Sequence, residues 1–515
     1  MAQIVIADID CYDPSIPGVR TLRFATQGYV TGSLDSPSST FYDGRIQQPA
    51  NVLRSCFQQG RTFGMTQIGY GDMVLVNNDG ELDGLLNYSF AGRAITIKLG
   101  TMLPNQSSPT WITVLKGTME QAELSWQKVT IRVRDRQQDL AKPIQQTRFA
   151  GTNILPNGLE GVDTDLQGKP KPLVFGLVYN INPPQVNTTR RIYQVNEGTA
   201  LQSLIAVYDR GTVLTRGADY TSQSDMETNA PSSGQYRVWN HATLGCFFRL
   251  GNTPSGLVTC DAQQGANLAV GDLYNAILNE AGIASGDISS SDISLLNALN
   301  PAVCGVYAGY EQDVTPIQLI DELVGSIGAW YGSDANGVFR IGRIEVPMGT
   351  SVGTISATEI LKIERVSSKD PGVGIPVWKV KLGWQKIWNV QNDTTANVTD
   401  VRKQFLSAQW RTYEASDSTV KAVNATSPEL TINTVLANKG DALIEVVRLL
   451  TQYKTRRDMY QVTIRVDSTL ASVLDLGKVI TLQVNRFGMN AGKKFLIIGI
   501  RTNMRGYQFE LTLWG

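Results

Sequence analysis

The single histidine, His241, limits the hydrolytic chemistry open to this chain of 515 residues. A Ser-His-Asp or Cys-His site would have to use this residue, which follows strand-like aromatic residues in the run Val238-Trp239-Asn240-His241. That setting favours a hydrogen-bonded surface or core histidine. The carboxylates are too numerous for a glycosidase pair to be chosen from sequence. We therefore predict no catalytic residue and no enzymatic activity.

The cysteines are five and widely scattered, with no CxxC pair to form a zinc, redox or iron–sulfur site: Cys11, Cys56, Cys246, Cys260 and Cys304. This spacing is typical of reduced, buried cysteines that act as small hydrophobic residues. We predict no metal ligand, no cofactor-binding residue and no cofactor.

Two glycine loops resemble calcium loops at first, Asn77-Asn78-Asp79-Gly80 and Asp334-Ala335-Asn336-Gly337. An EF-hand places its glycine sixth and needs carboxylates at its first and twelfth positions. Those positions are Leu75 and Leu86 in one loop and Gly332 and Arg343 in the other. Both loops are therefore predicted to be tight hairpin turns, where Asn, Asp and Gly tolerate positive φ.

The charge balance favours neither nucleic acid nor an anionic membrane as the main partner, because 46 Lys and Arg residues face 46 Asp and Glu residues. The apolar run near the start, Ile4-Val5-Ile6-Ala7, is too short for a signal peptide. No stretch approaches the roughly 20 apolar residues of a membrane span. These features predict a protein made and assembled in a cytoplasm.

Short alternating strands dominate the chain, as in residues 95–99, 129–133 and 462–466, and 48 glycines supply turns between them. Three apolar stripes predict helices, two of them with candidate caps at Thr315 and Asp441. The stripes are Leu273, Ala276, Ile277 and Ala281; Ile317, Ile320, Leu323, Val324 and Ile327; Leu443, Val446, Val447, Leu450 and Tyr453.

The predicted fold class is mainly β with α+β parts, in a multi-domain chain. We expect two tube-like small β-barrels plus an inserted β-rich domain and a helix-plus-hairpin domain. A faint repeat supports the pair of barrels, since one glycine-led strand series begins at Gly71 and another at Gly477. Turn-rich and polar stretches place the predicted boundaries at 1–150, 151–270, 271–400 and 401–515.

Three groups of motifs resemble the tail hub proteins of long-tailed bacteriophages and gene transfer agents. They are the run from Gly71 to Asp83 followed by Tyr88 and Gly92-Arg93; the run from Gly168 to Gly176 followed by Ile192 to Val195 and Val207 to Gly211; and the closing Gly499-Ile500 with Leu513-Trp514-Gly515. The resemblance covers most of the chain and is weakest from about Ser285 to Asp400.

The resemblance implies a structural virion protein, a trimeric tail or baseplate hub that joins a sixfold tail tube to a threefold tip and closes or lines the DNA ejection channel. Implied partners are two further copies, distal tail or tail tube proteins, the tape measure protein and central fibre or tip proteins. DNA would pass through the channel without sequence-specific binding. The implied location is the phage virion, after assembly in the cytoplasm of the bacterial host.

Two other functions stay open from sequence. A receptor- or carbohydrate-binding tail adhesin serving host attachment would need exposed aromatic residues, for which Trp378, Trp384 and Trp388 are candidates. Trp384 and Trp388 have helical spacing, yet residues 377–390 also alternate like a strand, and the interpretation favoured is core or interface packing. A cell-wall-degrading tail enzyme would need a paired acid and nucleophile in a cleft.

Overall fold

The computed structural model describes residues 2–58, 62, 67–102, 109–366, 374–466, 468–504 and 506–515. Strands dominate these residues, in several sheets, and the predicted mainly β, multi-domain fold class is confirmed. Within this part of the chain, no helix is long and apolar enough to span a membrane.

The first region, up to residue 141, consists of strands and two short 3-10 helices, Asp83–Asn87 and Arg136–Ala141. Its strands are β1 (Ala2–Asp13), β2 (Gly18–Ala25), β3 (Tyr29–Val30), β4 (Phe41–Tyr42), β5 (Ile46–Gln48), β6 (Leu53–Ser55), β7 (Gln67–Val76), β8 (Ala94–Met102), β9 (Thr110–Met119), β10 (Glu123–Ser125) and β11 (Lys128–Arg134).

The second region is a sandwich of two five-stranded sheets, ordered β16-β15-β20-β12-β21 and β13-β14-β19-β18-β17. Its elements are β12 (Leu173–Ile181), β13 (Gln185–Asn187), β14 (Ile192–Asn196), β15 (Ser203–Asp209), β16 (Thr212–Val213), β17 (Thr215–Arg216), α1 (Gln223–Thr228), β18 (Gln235–His241), β19 (Gly245–Leu250) and β20 (Val258–Gln264). The first of these sheets takes its edge strand, β21, from the next region.

The third region combines helices with a hairpin and packs its apolar helix faces into one core. Its elements are α2 (Val270–Glu280), the 3-10 helix Ser285–Asp287, α3 (Ser290–Leu299), β21 (Gly305–Ala308), α4 (Pro316–Gly325), β22 (Ala329–Ser333) and β23 (Phe339–Arg343). Thr315 caps α4 through a capping box with Gln318, as its position before Pro316 predicts.

The last region contains a three-stranded sheet, β27-β26-β28, together with further strands that join the sheet of the first region. Its elements are β24 (Thr354–Ser356), β25 (Ile360–Val366), β26 (Lys379–Trp384), α5 (Asp400–Leu406), β27 (Arg411–Ser416), α6 (Ser418–Val423), β28 (Glu429–Asn433), α7 (Lys439–Tyr453), β29 (Met459–Arg465), α8 (Ser468–Val473), β30 (Val479–Gln483), β31 (Lys493–Asn503) and β32 (Gln508–Trp514). Helix α7 begins before Asp441, and the predicted cap is wrong: Asn438 precedes the helix, while Asp441 lies in its first turn.

Strands from the two ends of the chain form one 15-stranded sheet around one shared core. Its main path runs β2-β1-β8-β9-β11-β7-β6-β31-β32-β29-β25, with β24 paired to β30. We call β1, β7, β8, β9 and β11 the first module, and β24, β29, β30, β31 and β32 the second module. In the described residues neither module closes into a barrel by strand pairing, so the expected closed barrels are replaced by one open sheet.

The two modules nevertheless share a strand order. Numbered along the chain within each module, the strands lie in space in the order 1-3-4-5-2: β1-β8-β9-β11-β7 in one and β24-β30-β31-β32-β29 in the other. A short helix also separates the second and third strands in both, Asp83–Asn87 and α8. The predicted repeat therefore exists as a shared strand order.

The strand correspondence predicted from glycine positions is wrong by one strand. Gly71 lies in β7, the second strand of its module, whereas Gly477 precedes β30, the third strand of the other. Strands with a leading glycine and alternating apolar residues look alike in sequence wherever they lie in a sheet. Only the pairing partners identify which strands are equivalent.

Candidate assembly surface and its junction

Strand β6 joins the two modules. It pairs antiparallel with β7 of the first module on one edge and with β31 of the second module on the other. Backbone bonds extend the junction past the strand: the Cys56 amide donates to the Ile498 carbonyl at 2.9 Å, and the Thr502 amide donates to the Val52 carbonyl at 3.0 Å. The backbone groups of β6 are thus used on both edges, as in the centre of a sheet.

Arg54 in the middle of β6 ties three regions together. Its guanidinium donates to a carboxylate oxygen of Asp475 at 2.8 Å and to the carbonyl of Ser333 at 3.2 Å. Asp475 lies between α8 and β30 of the second module, and Ser333 ends β22 of the helical region. The Arg54 side chain is only 8% exposed, so Arg54 and Asp475 form a largely buried ion pair. Removing either side chain would leave the charge of the other without this partner.

Arg340 of β23 extends the same charged network. Its guanidinium binds the carboxylate of Asp292 in α3 through two donors and lies 3.5 Å from Asp334 and 3.8 Å from Asp475. The hydrogen bond with Asp292 raises the pKa of Arg340, since it favours the charged guanidinium. Asp475 is therefore shared between two arginines at the meeting point of the three regions.

Asp135 is a buried carboxyl at the end of β11, next to β6 and β7. One of its oxygens accepts from the Gly69 amide at 2.6 Å and the other from the Gln137 amide at 2.9 Å, where it caps the 3-10 helix Arg136–Ala141. Burial raises the pKa of Asp135 to about 7 because the charged form loses its solvation. The residue thus holds the backbone between β11 and the 3-10 helix.

The His241 side chain stabilises a turn. Its Nδ1 accepts from the amides of Thr243 and Leu244 at 3.3 and 3.2 Å, and its ring lies 5.2 Å from that of Trp239. These contacts match the hydrogen-bonded histidine favoured from sequence. The five cysteines are all buried and free, and burial raises the pKa of Cys246 to about 12. Across the described residues no cluster of His, Cys, Asp and Glu could hold a metal ion.

The two glycine loops have different structures. Asp334 to Gly337 forms the turn of the β22–β23 hairpin, with the Asn336 and Val338 amides donating to the Asp334 carboxylate. The loop from Asn77 to Gly80 is a turn but leads into the 3-10 helix Asp83–Asn87, so the hairpin predicted there is wrong. Its Asp79 forms a bidentate pair with Arg45.

The three tryptophans do not form one cluster. Trp384 ends β26 and stacks on Tyr413 with ring centroids 5.5 Å apart, while Trp388 packs edge-on against Tyr307 at 5.8 Å. Both pack against the core of the helical region, in agreement with the interpretation favoured from sequence. Trp378 lies apart from them, with the ammonium of Lys421 4.1 Å from its ring centre.

A cleft of about 470 Å³ opens beside Trp388, between the sandwich and the helical region. Its walls include the rings of Tyr307 and Tyr310 and the carboxylates of Glu311 and Glu322. Lys386 binds Glu322 and places its ammonium 3.6 Å from the centre of the Trp388 ring. One aromatic face is therefore already covered by a cation of the chain itself.

Sequence reasoning identified the late strands of the second module but missed β6 and Arg54. A three-residue strand between Val52 and Cys56 has too little alternation to be recognised. A single arginine in such a run also carries no pattern, because its partners Ser333 and Asp475 lie hundreds of residues away. The junction becomes visible only once the two ends of the chain are brought together.

The fold is thus a mainly β, multi-domain chain with two strand modules of one strand order joined through a shared strand. No protein-family model matches the chain, and no curated protein matches it in sequence.

Solved structures of tail proteins are similar to it in fold. They include a 43 kDa tail protein of prophage MuSo2 from Shewanella oneidensis, at 10% identity over 99% of this chain and 98% of that one with a TM-score of 0.39. A tail protein from Neisseria meningitidis MC58 is 9% identical over 92% and 93%, with a TM-score of 0.42. A chain of the virion of a native gene transfer agent particle is 13% identical over 72% and 91%, also at 0.42. At these values the similarity assigns neither a fold family, nor a function, nor an assembly to this chain.

Proposed function

We propose that this chain is a non-enzymatic structural subunit of a bacteriophage-type tail, the hub that joins a sixfold tail tube to a threefold tip. The observation that carries the proposal is the shared strand order of the two modules within one chain. Three copies would supply six modules, and a sixfold ring needs six equivalent surfaces. The motifs around Gly71, Gly168 and Gly499 that resemble tail hub proteins support the same function.

The proposal keeps a chain of four parts, 1–150, 151–270, 271–400 and 401–515, in which the second module takes its first strand, β24, from the third part. The modules would form the ring beside the tail tube and line the DNA channel, with the tape measure protein and a central fibre or tip protein as further partners. The protein would be assembled in the host cytoplasm and remain in the virion. No cofactor enters this function.

An electron cryomicroscopy map of the intact particle tests the proposal. We expect three copies at the distal end of the tail, with their six modules in a ring that has approximate sixfold symmetry. One copy or six copies at that position, or a ring without the modules, would overturn it. Hydrolysis of purified peptidoglycan by the isolated chain would contradict the non-enzymatic part, provided that one carboxylate substitution abolished it.

Receptor or carbohydrate binding is a second candidate function, and the cleft beside Trp388 is the observation that favours it. Aromatic rings next to side-chain amides and carboxylates are the groups that orient a polar ligand in a pocket. Binding of host-cell glycans that Tyr310→Ala abolishes, while Trp378→Ala leaves it intact, would support this function. Absence of glycan and whole-cell binding would remove it and leave the hub proposal standing.

A further inference from the structure

The strand that flanks the second strand of each module differs between the modules in one respect. In the first module the order is β11-β7-β6, and in the second it is β32-β29-β25, with both flanking strands antiparallel to their neighbours. Strands β6 and β25 therefore occupy equivalent positions. The free edge of β6 is taken by β31 of the other module, whereas the path of the sheet ends at β25 within the described residues.

The exposure of the two strands follows from this difference. None of the seven residues of β25 is buried, while Arg54 at the centre of β6 is. Ile360, Ile363 and Val366 pack against the shared core but stay partly exposed. Leu361 is 46% exposed at the same edge. A sheet whose core-facing aliphatic side chains remain half covered at one edge gains buried apolar area when a further strand is added.

The charges on β25 restrict which strand can be added. Lys362 and Glu364 form an exposed pair 3.0 Å apart, and Arg365 binds Asp458 at 2.7 Å. Charged side chains on an edge strand discourage indiscriminate pairing and leave the edge to a partner that matches them. The edge is thus suited to one specific strand.

We infer that the open edge of β25 is the surface on which a second copy of this chain docks a strand, by the kind of contact that β6 makes with β31 inside the chain. This inference rests on the proposed hub, because a closed ring needs a contact between the second module of one copy and the first module of the next. The occupant is a second copy, since the equivalent position in the first module is filled by a module of the same strand order.

Hydrogen–deuterium exchange of the full-length chain tests the inference, with oligomeric state measured by analytical ultracentrifugation in the same buffer. On passing from dilute monomer to assembled trimer, we expect the outward-facing amides of residues 360–366, which do not pair with β29, to exchange at least about tenfold more slowly. Strand β16, an edge strand of the sandwich that pairs only with β15, is the matched control and should not change.

Proline substitutions give a second, independent measurement. In an antiparallel strand, neighbouring residues direct their amides to opposite edges, so Ile363→Pro and Glu364→Pro each remove one amide, from opposite sides of β25. The variant that loses the outward amide should melt like the parent monomer but assemble at least tenfold more weakly. The other variant should lower the melting temperature of the monomer.

The outcomes separate the inference from the proposal beneath it. A chain that remains monomeric at all concentrations and in the particle overturns the hub itself. A trimer in which residues 360–366 exchange as in the monomer, or in which both proline variants assemble normally, overturns the role of β25 alone. Slowed exchange together with one assembly-deficient proline variant supports both.

Discussion

The first and second modules agree in their centres and differ at their ends. Strands 3, 4, 5 and 2 of each module lie side by side in one antiparallel order. The first strand, however, pairs antiparallel in the first module, β1 with β8, and parallel in the second, β24 with β30. The flanking strand of the first module is enclosed, and that of the second is open on one edge in the part of the chain that the structure describes. The central strands thus keep the shared core, while the ends decide what each module contacts.

The largest expected difference between the two flanking strands lies at Arg54 of β6, because the charged residues of β25 that form ion pairs are much more exposed. Arg54→Met should lower the free energy of unfolding by about 3 kcal/mol, since it leaves the partly buried Asp475 with only the more distant Arg340, 3.8 Å away. Urea denaturation followed by circular dichroism measures this. Arg132→Met removes an exposed arginine of β11 and should change the free energy of unfolding little. Equal losses in the two variants would mean that the apolar core alone holds the modules together.

The raised pKa of Asp135 predicts that the stability of the chain depends on pH through the end of the first module next to β6. Its pKa of about 7 in the folded chain lies above the unfolded value, so its stabilising contribution is full below about pH 4 and is lost as pH rises through 7. The loss should reach a few kcal/mol. Asp135→Asn does not titrate and loses one acceptor, so its melting temperature should be below that of the parent at pH 5 and approach it at pH 8. A difference independent of pH would contradict the raised pKa.

Gly477 and Gly80 allow the packing around one loop of each module to be compared, since both glycines have φ of +75°. A Cβ on Gly477 would lie 2.5 Å from the ring of Trp330, whereas on Gly80 the nearest atom is a carboxylate oxygen of Asp83 at 3.3 Å. Gly80→Ala should cost about 1 kcal/mol of backbone strain, and Gly477→Ala about 2–3 kcal/mol because the ring must also move. Thermal unfolding of the two variants measures both costs, and equal values would mean that Trp330 yields freely.

The connections between the fourth and fifth strands carry the smallest expected effects. In the second module the Tyr507 hydroxyl donates to the Gln3 carbonyl at 2.8 Å, while Trp126 in the equivalent connection of the first module is 93% exposed. Tyr507→Phe should cost about 1 kcal/mol, and Trp126→Ser should change stability by less than about 0.5 kcal/mol. Differential scanning calorimetry compares them. A larger loss for Trp126→Ser would show that its ring is covered in solution.

Sequence reasoning succeeded where one face of an element is uniformly apolar. The alternating residues 462–465 lie in β29, and the Thr315-Pro316 start of α4 lies where it is predicted. Helix α7, the third predicted stripe, shows where this reasoning fails, because Leu443 and Val447 of the stripe are exposed while Glu445 is buried. Glu445 is paired with Arg448 three residues on, and a buried ion pair reads as a polar face in sequence.

The topology of the modules required information that no local pattern contains. Pairing of β6 with β31 depends on residues that lie hundreds of positions apart, and alternation does not identify a partner strand. The hydrogen-bonded setting of His241 was predictable from the strand-like run that precedes it. The network of Arg54, Arg340 and Asp475 was not, since its members come from three regions without any shared spacing.

The shared strand β6 also sets the order in which the protein can be completed during translation. Val52 and Thr502, which hydrogen-bond beside it, are 450 residues apart. At the usual 5–20 residues per second, a ribosome needs roughly 20–90 s to make the intervening chain. During that interval the nascent first module presents β6 without its second neighbour, and the sheet is finished only when β31 emerges. The pairing of β6 with β31, which joins the two modules, can therefore form only after all the residues between these strands have been synthesised.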